Sequence, residues 1–150
     1  MPGFNIISTN HTSFTVSNLD RTLAFFSEAL GFEITSKAPR NPDAIQRITG
    51  VEGGNVVIAY VRGPDHSIEL IEYLGPADRG RVESRPCDVG FAHLAYDVDD
   101  IDAAMTASAE HGFHPIGEIY VVDRGPNAGG RVVYLRDVDG VTIEFVEKAQ

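Results

Sequence analysis

Two histidines and two glutamates stand at matching places along the chain, and their side chains could together hold one metal ion. His11 and His93 each open a stretch of similar sequence, and Glu69 and Glu144 lie close to where each stretch ends. Imidazole nitrogen with carboxylate oxygen is a typical ligand set for Ni, Co, Mn, Fe or Zn. Two neutral imidazoles and two carboxylates also balance a doubly positive charge. The four residues therefore predict a binding site for one divalent cation.

An internal repeat is the reason for grouping these residues. The stretch that begins at His11, HTSFTVSNLDRTLAFFSEALGF, aligns with the one that begins at His93, HLAYDVDDIDAAMTASAEHGF, if one gap is placed in the helical part. Each half also ends alike, because SIELIE at 67–72 agrees in chemical type with TIEFVE at 142–147. A histidine thus opens each half and a glutamate closes it.

The helix that follows each histidine has recognisable boundaries. Asn18 before the first helix, and Asp99 or Asp100 before the second, are good N-caps because their side-chain oxygens accept from first-turn amides. Gly31 and Gly112 stand where a left-handed residue would end each helix. The two halves are therefore predicted to share a strand followed by a capped helix.

Strand patterns complete each half as β-α-β-β-β. One such module would have an open sheet face and too little core. We therefore expect an α+β fold in which two tandem βαβββ modules curl mixed sheets around a shared metal-binding cleft. A single domain over 1–150 would comprise a first module at about 8–74, a linker at about 75–89 and a second module at about 90–147. The predicted strands are 11–16, 32–35, 55–61 and 67–73, then 93–98, 116–122, 131–136 and 142–147.

Alternation along the strands places the four candidate ligands on one kind of surface. Successive strand residues point to opposite faces, so Glu69 points away from Ile68 and Leu70, which should pack on the helix. Glu144 stands in the same relation to its apolar neighbours, and each histidine opposes the apolar residues of its own strand. Carboxylates on a half-buried face are costly unless something pairs with them. A cation in the cleft would supply that pairing.

Three further residues are candidates for binding a substrate. Arg131 and Tyr134 precede the last strand and could reach the cleft. Arg47 lies in a short helical stretch around 44–48 and could meet an anionic group. These residues would lie outside the metal-ligand set.

The remaining histidines, the cysteine and two further glutamates are expected to have structural or surface roles. The histidines flank a turn or a helix end, and the cysteine is interpreted as a buried or linker thiol. The glutamates have the wrong strand parity for the cleft, so we interpret them as solvent-facing strand ends. The group comprises His66, His111, His114, Cys87, Glu72 and Glu147.

Composition argues against several classes of partner. The formal net charge of −10 is unsuited to nucleic acid, whose binding needs clustered Lys and Arg. The basic residues are scattered, and no apolar run reaches the roughly 18 to 20 residues of a membrane span. A single cysteine excludes an intrachain disulfide, which favours a cytoplasmic protein.

These features together resemble the vicinal oxygen chelate superfamily, which includes glyoxalase I, methylmalonyl-CoA epimerase, extradiol dioxygenases, fosfomycin resistance enzymes and bleomycin resistance proteins. The resemblance runs from His11 to Glu147, nearly the whole chain. It is carried by SNLD after the first strand, by IELIEY, by DVDDI after the second histidine and by LRDVDG before the last strand. The superfamily commonly has Asp-Pro-Asp-Gly in that last turn, where Val138 replaces the proline.

The resemblance implies paired βαβββ modules, one divalent metal ion bound by His11, Glu69, His93 and Glu144, a small-molecule substrate and a homodimer. This order of ligands is similar to that of bacterial glyoxalase I. Methylmalonyl-CoA epimerases usually carry glutamine where Glu69 stands. Extradiol dioxygenases and fosfomycin enzymes usually use two histidines and one glutamate.

The leading expectation is therefore a metal-dependent lyase or isomerase. Vicinal oxygens of its substrate would chelate the ion, which would stabilise a developing enolate. Glu144 or Glu69 would act as the catalytic group that moves the proton. An Fe(II) ring-cleaving dioxygenase and a non-catalytic binding or resistance protein are the alternatives.

Overall fold

The computed structural model describes residues 3–150, and the chain divides between Arg79 and Gly80 into two compact units. Each unit contains one sheet of mixed strand direction. Residues 76–93, which include most of the predicted linker, form no helix or strand. No helix within residues 3–150 has the length and apolar character needed to cross a membrane.

The first unit is a four-stranded sheet in the order β1-β4-β3-β2. Strand β1 runs parallel to β4, and the other neighbouring pairs are antiparallel. Helix α1 follows β1, and helix α2 lies between β2 and β3. The elements are β1 (Thr12–Val16), α1 (Leu19–Ala24), β2 (Glu33–Pro39), α2 (Pro42–Thr49), β3 (Asn55–Gly63) and β4 (His66–Gly75).

The two helices of this unit pack on opposite faces of the sheet. Strand β4 turns Ile68 and Leu70 to the α1 side, where both are completely buried. Ile45 of α2 packs on Ile58 of β3 and Ile71 of β4 on the other face. The face that carries Glu69 is therefore covered at one end by α2, which the repeat alone does not predict because the second half has no counterpart to α2.

The first helix changes its winding at the place where the two halves differ in length. Residues Phe25–Ala29 form a π-helical turn, in which the Leu30 amide donates to the Phe25 carbonyl at 3.2 Å. Such a turn takes in one extra residue. The single gap between the two helical stretches thus has a structural counterpart, and Phe25 and Phe26 are both completely buried there.

The second unit is a sheet in the order β5-β9-β8-β6, with β7 also paired to β8. Strand β5 runs parallel to β9, as β1 does to β4. Helix α3 begins at the N-cap Asp100, whose carboxylate accepts from the Ala103 amide at 2.9 Å. The elements are β5 (Leu94–Val98), α3 (Ile101–Glu110), β6 (His114–Pro115), β7 (Tyr120–Val121), β8 (Arg131–Arg136) and β9 (Thr142–Glu147).

The βαβββ order is confirmed in both units, and the strand predicted at 116–122 is wrong. Within 116–122 the chain forms only the two-residue strand β7, and the two-residue strand β6 ends at Pro115, just before this range. Their side chains are all exposed, so this edge lacks the burial that would favour a continuous strand.

Gly31 and Gly112 have φ of 71° and 81°, as their predicted helix-ending role requires.

The interpretation of Glu72 and Glu147 as solvent-facing strand ends is wrong. Glu72 accepts from the first amide of α1, Leu19 N, at 2.9 Å. Glu147 accepts from the first amide of α3, Ile101 N, at 2.8 Å. Their parity turns both carboxylates toward the helix, where they satisfy an amide that has no partner inside the helix and meet the positive end of its dipole.

We expect Glu72→Ala to lower the free energy of unfolding by about 1 kcal/mol, because an α1 amide loses its acceptor. Urea unfolding followed by circular dichroism measures the change. Glu52→Ala, at an exposed turn position, is the matched control and should stay close to the wild-type value. Equal stabilities of the two variants would contradict the capping role.

Candidate metal centre

His11 and Glu69 form a pair in the first unit, on the sheet face opposite α1. The parallel register of β1 and β4 sets Ser13 beside Glu69. His11 Nε2 lies 3.5 Å from Glu69 Oε1, and Ser13 Oγ donates to the same oxygen at 2.9 Å. Asn10 Oδ1 lies 2.6 Å from His11 Nδ1. A proton on Nδ1 shared with Asn10 leaves Nε2 with a lone pair for a cation.

Tyr60 completes this first group. Strand β3 sets Tyr60 beside Glu69, and the phenol donates to Glu69 Oε2. The rings of Tyr60 and His11 meet edge to face with centroids 5.6 Å apart. Burial, followed by the hydrogen bond to Glu69 and its charge, raises the pKa of Tyr60 to about 12, against a smaller opposing effect of Arg40. The phenol is therefore a hydrogen-bond donor at neutral pH.

The second unit repeats this arrangement with His93, Tyr134 and Glu144. Strands β5 and β8 set Ala95 and Tyr134 on either side of Glu144. His93 Nε2 lies 2.9 Å from Glu144 Oε2, and the rings of His93 and Tyr134 are 4.6 Å apart. Burial, the charge of Glu144 and a hydrogen bond to it raise the pKa of Tyr134. Each unit thus presents one histidine, one tyrosine and one glutamate.

Phe91 and Arg136 extend the second group. Phe91 stacks on His93 with centroids 5.7 Å apart and an interplanar angle of 20°. The guanidinium carbon of Arg136 lies 5.6 Å from the centre of the Phe91 ring. Arg136 Nε donates to Thr142 Oγ1 at 3.0 Å, whereas its buried Nη2 has no hydrogen-bond partner among residues 3–150. A buried donor without an acceptor is unfavourable, so this atom is suited to an added oxygen.

An open cleft of about 500 Å³ lies beside Arg136 within the second unit. Two further arginines line it, and both are already paired: Arg81 with Asp139 at 3.1 Å and Arg85 with Asp88 at 2.8 Å. Arg136 is thus the lining arginine with an unused buried donor.

Each unit holds two of the four predicted metal ligands. No group of three or more His, Cys, Asp or Glu side chains with the geometry of a metal site occurs among residues 3–150.

The model of the Glyoxalase/Bleomycin resistance protein/Dioxygenase superfamily matches residues 8–145. The chain belongs to this superfamily. The predicted family and the α+β class of βαβββ modules are thereby confirmed.

Two curated relatives in the superfamily are named as enzymes. The chain is 33% identical over 145 residues to a 2-epi-5-epi-valiolone epimerase from Actinomyces sp., covering 93% of this chain and 79% of that protein. It is 29% identical over 141 residues to lactoylglutathione lyase from Haemophilus influenzae, covering 91% of this chain and 90% of that protein.

Solved structures agree with this membership. A glyoxalase family protein from Bacillus cereus matches with a TM-score of 0.85 and 27% identity, over 100% of this chain and 99% of that one. A fosfomycin resistance protein from Listeria monocytogenes, complexed with Mn(II) and sulfate, matches with a TM-score of 0.60 and 16% identity, over 97% of this chain and 95% of that one. The second likeness shows the fold alone.

The donor geometry of each pair fits a divalent cation. Two ligands of one ion with bonds of about 2.1 Å lie roughly 3.0 Å apart in octahedral and roughly 3.4 Å apart in tetrahedral geometry. The nitrogen–oxygen separations of 3.5 Å for His11–Glu69 and 2.9 Å for His93–Glu144 match these values. Each pair could therefore occupy one edge of a coordination shell without moving far.

The three predicted substrate residues differ in placement. Tyr134 shares its face with Glu144, as described. Arg131 is an odd number of positions away on β8, so it points to the opposite face, where it binds Glu147 at 2.8 Å and Asp102 at 2.7 Å. Arg47 is exposed on α2, two positions from the sheet-facing Ile45. Substrate contact by Arg131 and Arg47 stays a prediction.

The sequence interpretation missed Tyr60, Phe91 and Arg136. A signal for the first was present, because Tyr-Val-Arg at 60–62 repeats as Tyr-Leu-Arg at 134–136. The turn between Tyr60 and Glu69 is one residue shorter than its counterpart, which hides the match unless a second gap is placed. Nothing comparable marks Phe91, since it lies in the segment without helix or strand.

The ion pair of Arg131 with Glu147 can be tested through the stability of the protein in acid. The guanidinium, together with the Ile101 amide, lowers the pKa of the Glu147 carboxyl below the usual 4.5. The stabilisation is therefore complete above that value and is lost as the pH falls through the lower folded-state pKa. We expect the stability difference between wild type and Glu147→Gln to shrink as the pH falls below 4.5.

Chemical unfolding at a series of pH values between neutrality and acid measures this difference. Glu110→Gln, exposed at the end of α3, is the control and should track the wild type throughout. A difference between Glu147→Gln and wild type that does not change with pH would refute the linkage.

Proposed function

We propose that this chain is a divalent-metal-dependent lyase or isomerase that moves a proton beside a carbonyl group of a small substrate with vicinal oxygens. The observation that carries the proposal is the repeated His–Tyr–Glu group, found once in each unit. An ordinary structural site has no need for two such carboxylates, each supplied with an imidazole and a phenol.

The proposed metal ligands are His11, Glu69, His93 and Glu144, a pair from each unit. This set supplies two neutral nitrogens and two anionic oxygens, which suit Ni, Co, Mn, Fe or Zn. When bound, the ion would act as a Lewis acid that stabilises negative charge developing on the substrate oxygens.

The chain's own residues supply the proton transfer. A carboxylate oxygen of Glu69 or Glu144 takes the proton from the carbon next to the carbonyl and returns it to the substrate on a different face or atom. Tyr60 and Tyr134 hold these carboxylates through hydrogen bonds. Because both phenols have raised pKa values, they remain donors while the carboxylates exchange the proton.

Arg136 and the cleft beside it are suited to a more distant part of the substrate. The unused Nη2 can donate a hydrogen bond to an oxygen of a hydroxyl, carbonyl or carboxylate group. Phe91 links Arg136 to His93 by ring contacts, so this group lies on the same side of the second unit as the proposed metal ligands.

The curated relatives support this class of reaction. The relative with 33% identity is named as an epimerase, and the one with 29% identity is named as a lyase. Their names do not fix the substrate here. The homodimer and the cytoplasmic location stay predictions.

The test combines metal analysis with hydrogen exchange. We expect purified protein reloaded with Ni, Co, Mn, Fe(II) or Zn to bind one ion per chain and to incorporate deuterium from heavy water into α-hydroxyketones or acyl thioesters. The double variant that carries both Glu69→Gln and Glu144→Gln should lower the exchange rate by about 10²–10⁴-fold, which is the usual contribution of general acid–base catalysis. His114→Ala, exposed in β6, is the control and should keep the wild-type rate.

Two results would decide against the proposal. Oxygen consumption with catechols by the Fe(II) form, without hydrogen exchange, would identify a dioxygenase. Ligand binding that survives both metal removal and Glu69→Ala, again without exchange, would identify a binding protein.

A further inference from the structure

Arg136 is held in place in the second unit and has one hydrogen-bond donor that is not used. Its Nε donates to Thr142 Oγ1 at 3.0 Å, and its guanidinium carbon lies 5.6 Å from the centre of the Phe91 ring. Its Nη2 is buried and has no hydrogen-bond partner among residues 3–150. Because two contacts already orient the guanidinium group, an oxygen that binds Nη2 does not have to order a loose side chain.

The first unit has no such arrangement at the same place in the repeat. Arg62 corresponds to Arg136, but its side chain is 62% exposed and lies 3.7 Å from the Glu33 carboxylate. Thr9 stands two residues before His11, whereas Phe91 stands two residues before His93. The βαβββ fold therefore does not require an arginine that packs against an aromatic ring, which favours a binding role for Arg136.

Arg136 lies on the same sheet face as Tyr134 and Glu144. It is two positions from Tyr134 on β8, and its partner Thr142 is two positions from Glu144 on β9. Two residues of a strand span about 7 Å. A small molecule whose oxygens reach the proposed metal ligands of this unit can therefore also reach Arg136 with a group several atoms further along its chain.

The charges that line the cleft beside Arg136 decide which kind of group it suits. Arg81 and Arg85 are already paired, with Asp139 and Asp88. Four carboxylates line the cleft against three guanidinium groups, and the whole chain has a net charge of −10. A phosphate would be repelled there, and a carboxylate would gain Arg136 as a partner only against this excess of negative charge.

A hydroxyl group matches the cleft better than an anion does. Its oxygen accepts from Arg136 Nη2, and its hydrogen can be donated to one of the lining carboxylates. Ser84 is half-buried in the same cleft and offers a hydroxyl that both donates and accepts. A molecule with hydroxyls on neighbouring carbon atoms can therefore satisfy the donor and the acceptors together.

We infer that the cleft beside Arg136 is a subsite for the hydroxyl-bearing end of a neutral polyol, which makes the substrate a polyhydroxylated ketone and not a phosphate ester or a carboxylate. The inference rests on the proposed function for the ketone end, and on the contacts and charges alone for the subsite. Because Nη2 is buried, the occupant reaches it by displacing part of the cleft wall. Residues 81–88, which form no helix or strand, are the part that can move.

The first experiment measures binding without metal or turnover. Nitrogen-15 spectra of wild type are recorded during titration with myo-inositol, inorganic phosphate or acetate at equal concentrations. We expect myo-inositol to shift the Arg136 Nε–H signal, assigned with Arg136→Lys, and the Ser84 amide signal, whereas phosphate and acetate leave both in place. The Arg62 Nε–H signal is the internal control and should not respond. Larger shifts with either anion, or no shift with myo-inositol, overturn the inference.

The second experiment changes the charge of the cleft. The double variant with Glu83→Gln and Asp88→Asn leaves two lining carboxylates against three guanidinium groups. We expect phosphate to shift the Arg136 signal in this variant, while myo-inositol still binds. Glu110→Gln with Glu118→Gln removes the same charge at exposed positions outside the cleft and should leave phosphate without effect. Equal responses of the two double variants would contradict exclusion of anions by the lining carboxylates.

The third experiment follows deuterium exchange into two neutral α-hydroxyketones by metal-loaded protein. Xylulose carries hydroxyls beyond the ketone, and hydroxyacetone does not. We expect kcat/KM to be about tenfold higher for xylulose, since one hydrogen bond to a charged donor is worth about that factor. Arg136→Lys should bring the two substrates to within about twofold of each other. Arg62→Lys, at the repeat counterpart, should keep the tenfold preference, and thermal unfolding checks that both variants are folded.

The failures of the two proposals are distinguishable. If myo-inositol binds at Arg136 and wild type exchanges no hydrogen with any ketone, the proposed function fails and the polyol subsite stands. If wild type exchanges hydrogen but shows no preference for xylulose, or a preference that Arg136→Lys does not change, the proposed function stands and the subsite is wrong.

Discussion

The arrangement of each unit depends on a carboxylate that lies on a half-buried sheet face and must be given partners. The side chains of Glu69 and Glu144 are only 11% and 20% exposed, so an ionised group there loses much of its hydration. Strand pairing supplies the partners that the carboxylate needs, because the strands on either side bring a tyrosine and a histidine to each glutamate. The same partners leave an imidazole and a carboxylate side by side, which we propose to be half of a metal site.

Strand parity ties this face to the helices behind it. Glu69 and Glu72 are an odd number of positions apart on β4, so one faces the site and the other caps α1. Glu144 and Glu147 divide the two faces of β9 in the same way, and Arg131 then binds Glu147 on the helix side. A slip of one residue in the register would exchange the two faces, so the cap and the site select the same register.

The sequence was sufficient to predict the sheet face of a residue where the internal repeat and the strand alternation agree. It was insufficient where a contact depends on the length of a turn or on an irregular segment. Strand parity predicted the sheet faces of Glu69 and Glu144 correctly, because the parallel strand pairs that contain them have a regular register. Parity also excluded Glu72 from the site, but it could not show that an unpaired amide at the start of a helix lies on the other face. For Arg131, nearness to the last strand does not show which sheet face the side chain lies on, whereas its position on β8 sets it on the face opposite to that of Tyr134.

The central claim is that the two pairs bind one ion together, and anomalous diffraction from crystals grown with Mn(II) or Co(II) tests it most directly. Data collected at the absorption edge of the metal give its position and number independently of activity. The account predicts one peak per chain within bonding distance of His11, Glu69, His93 and Glu144. A peak bound to one pair alone, or separate peaks on each pair, would contradict it.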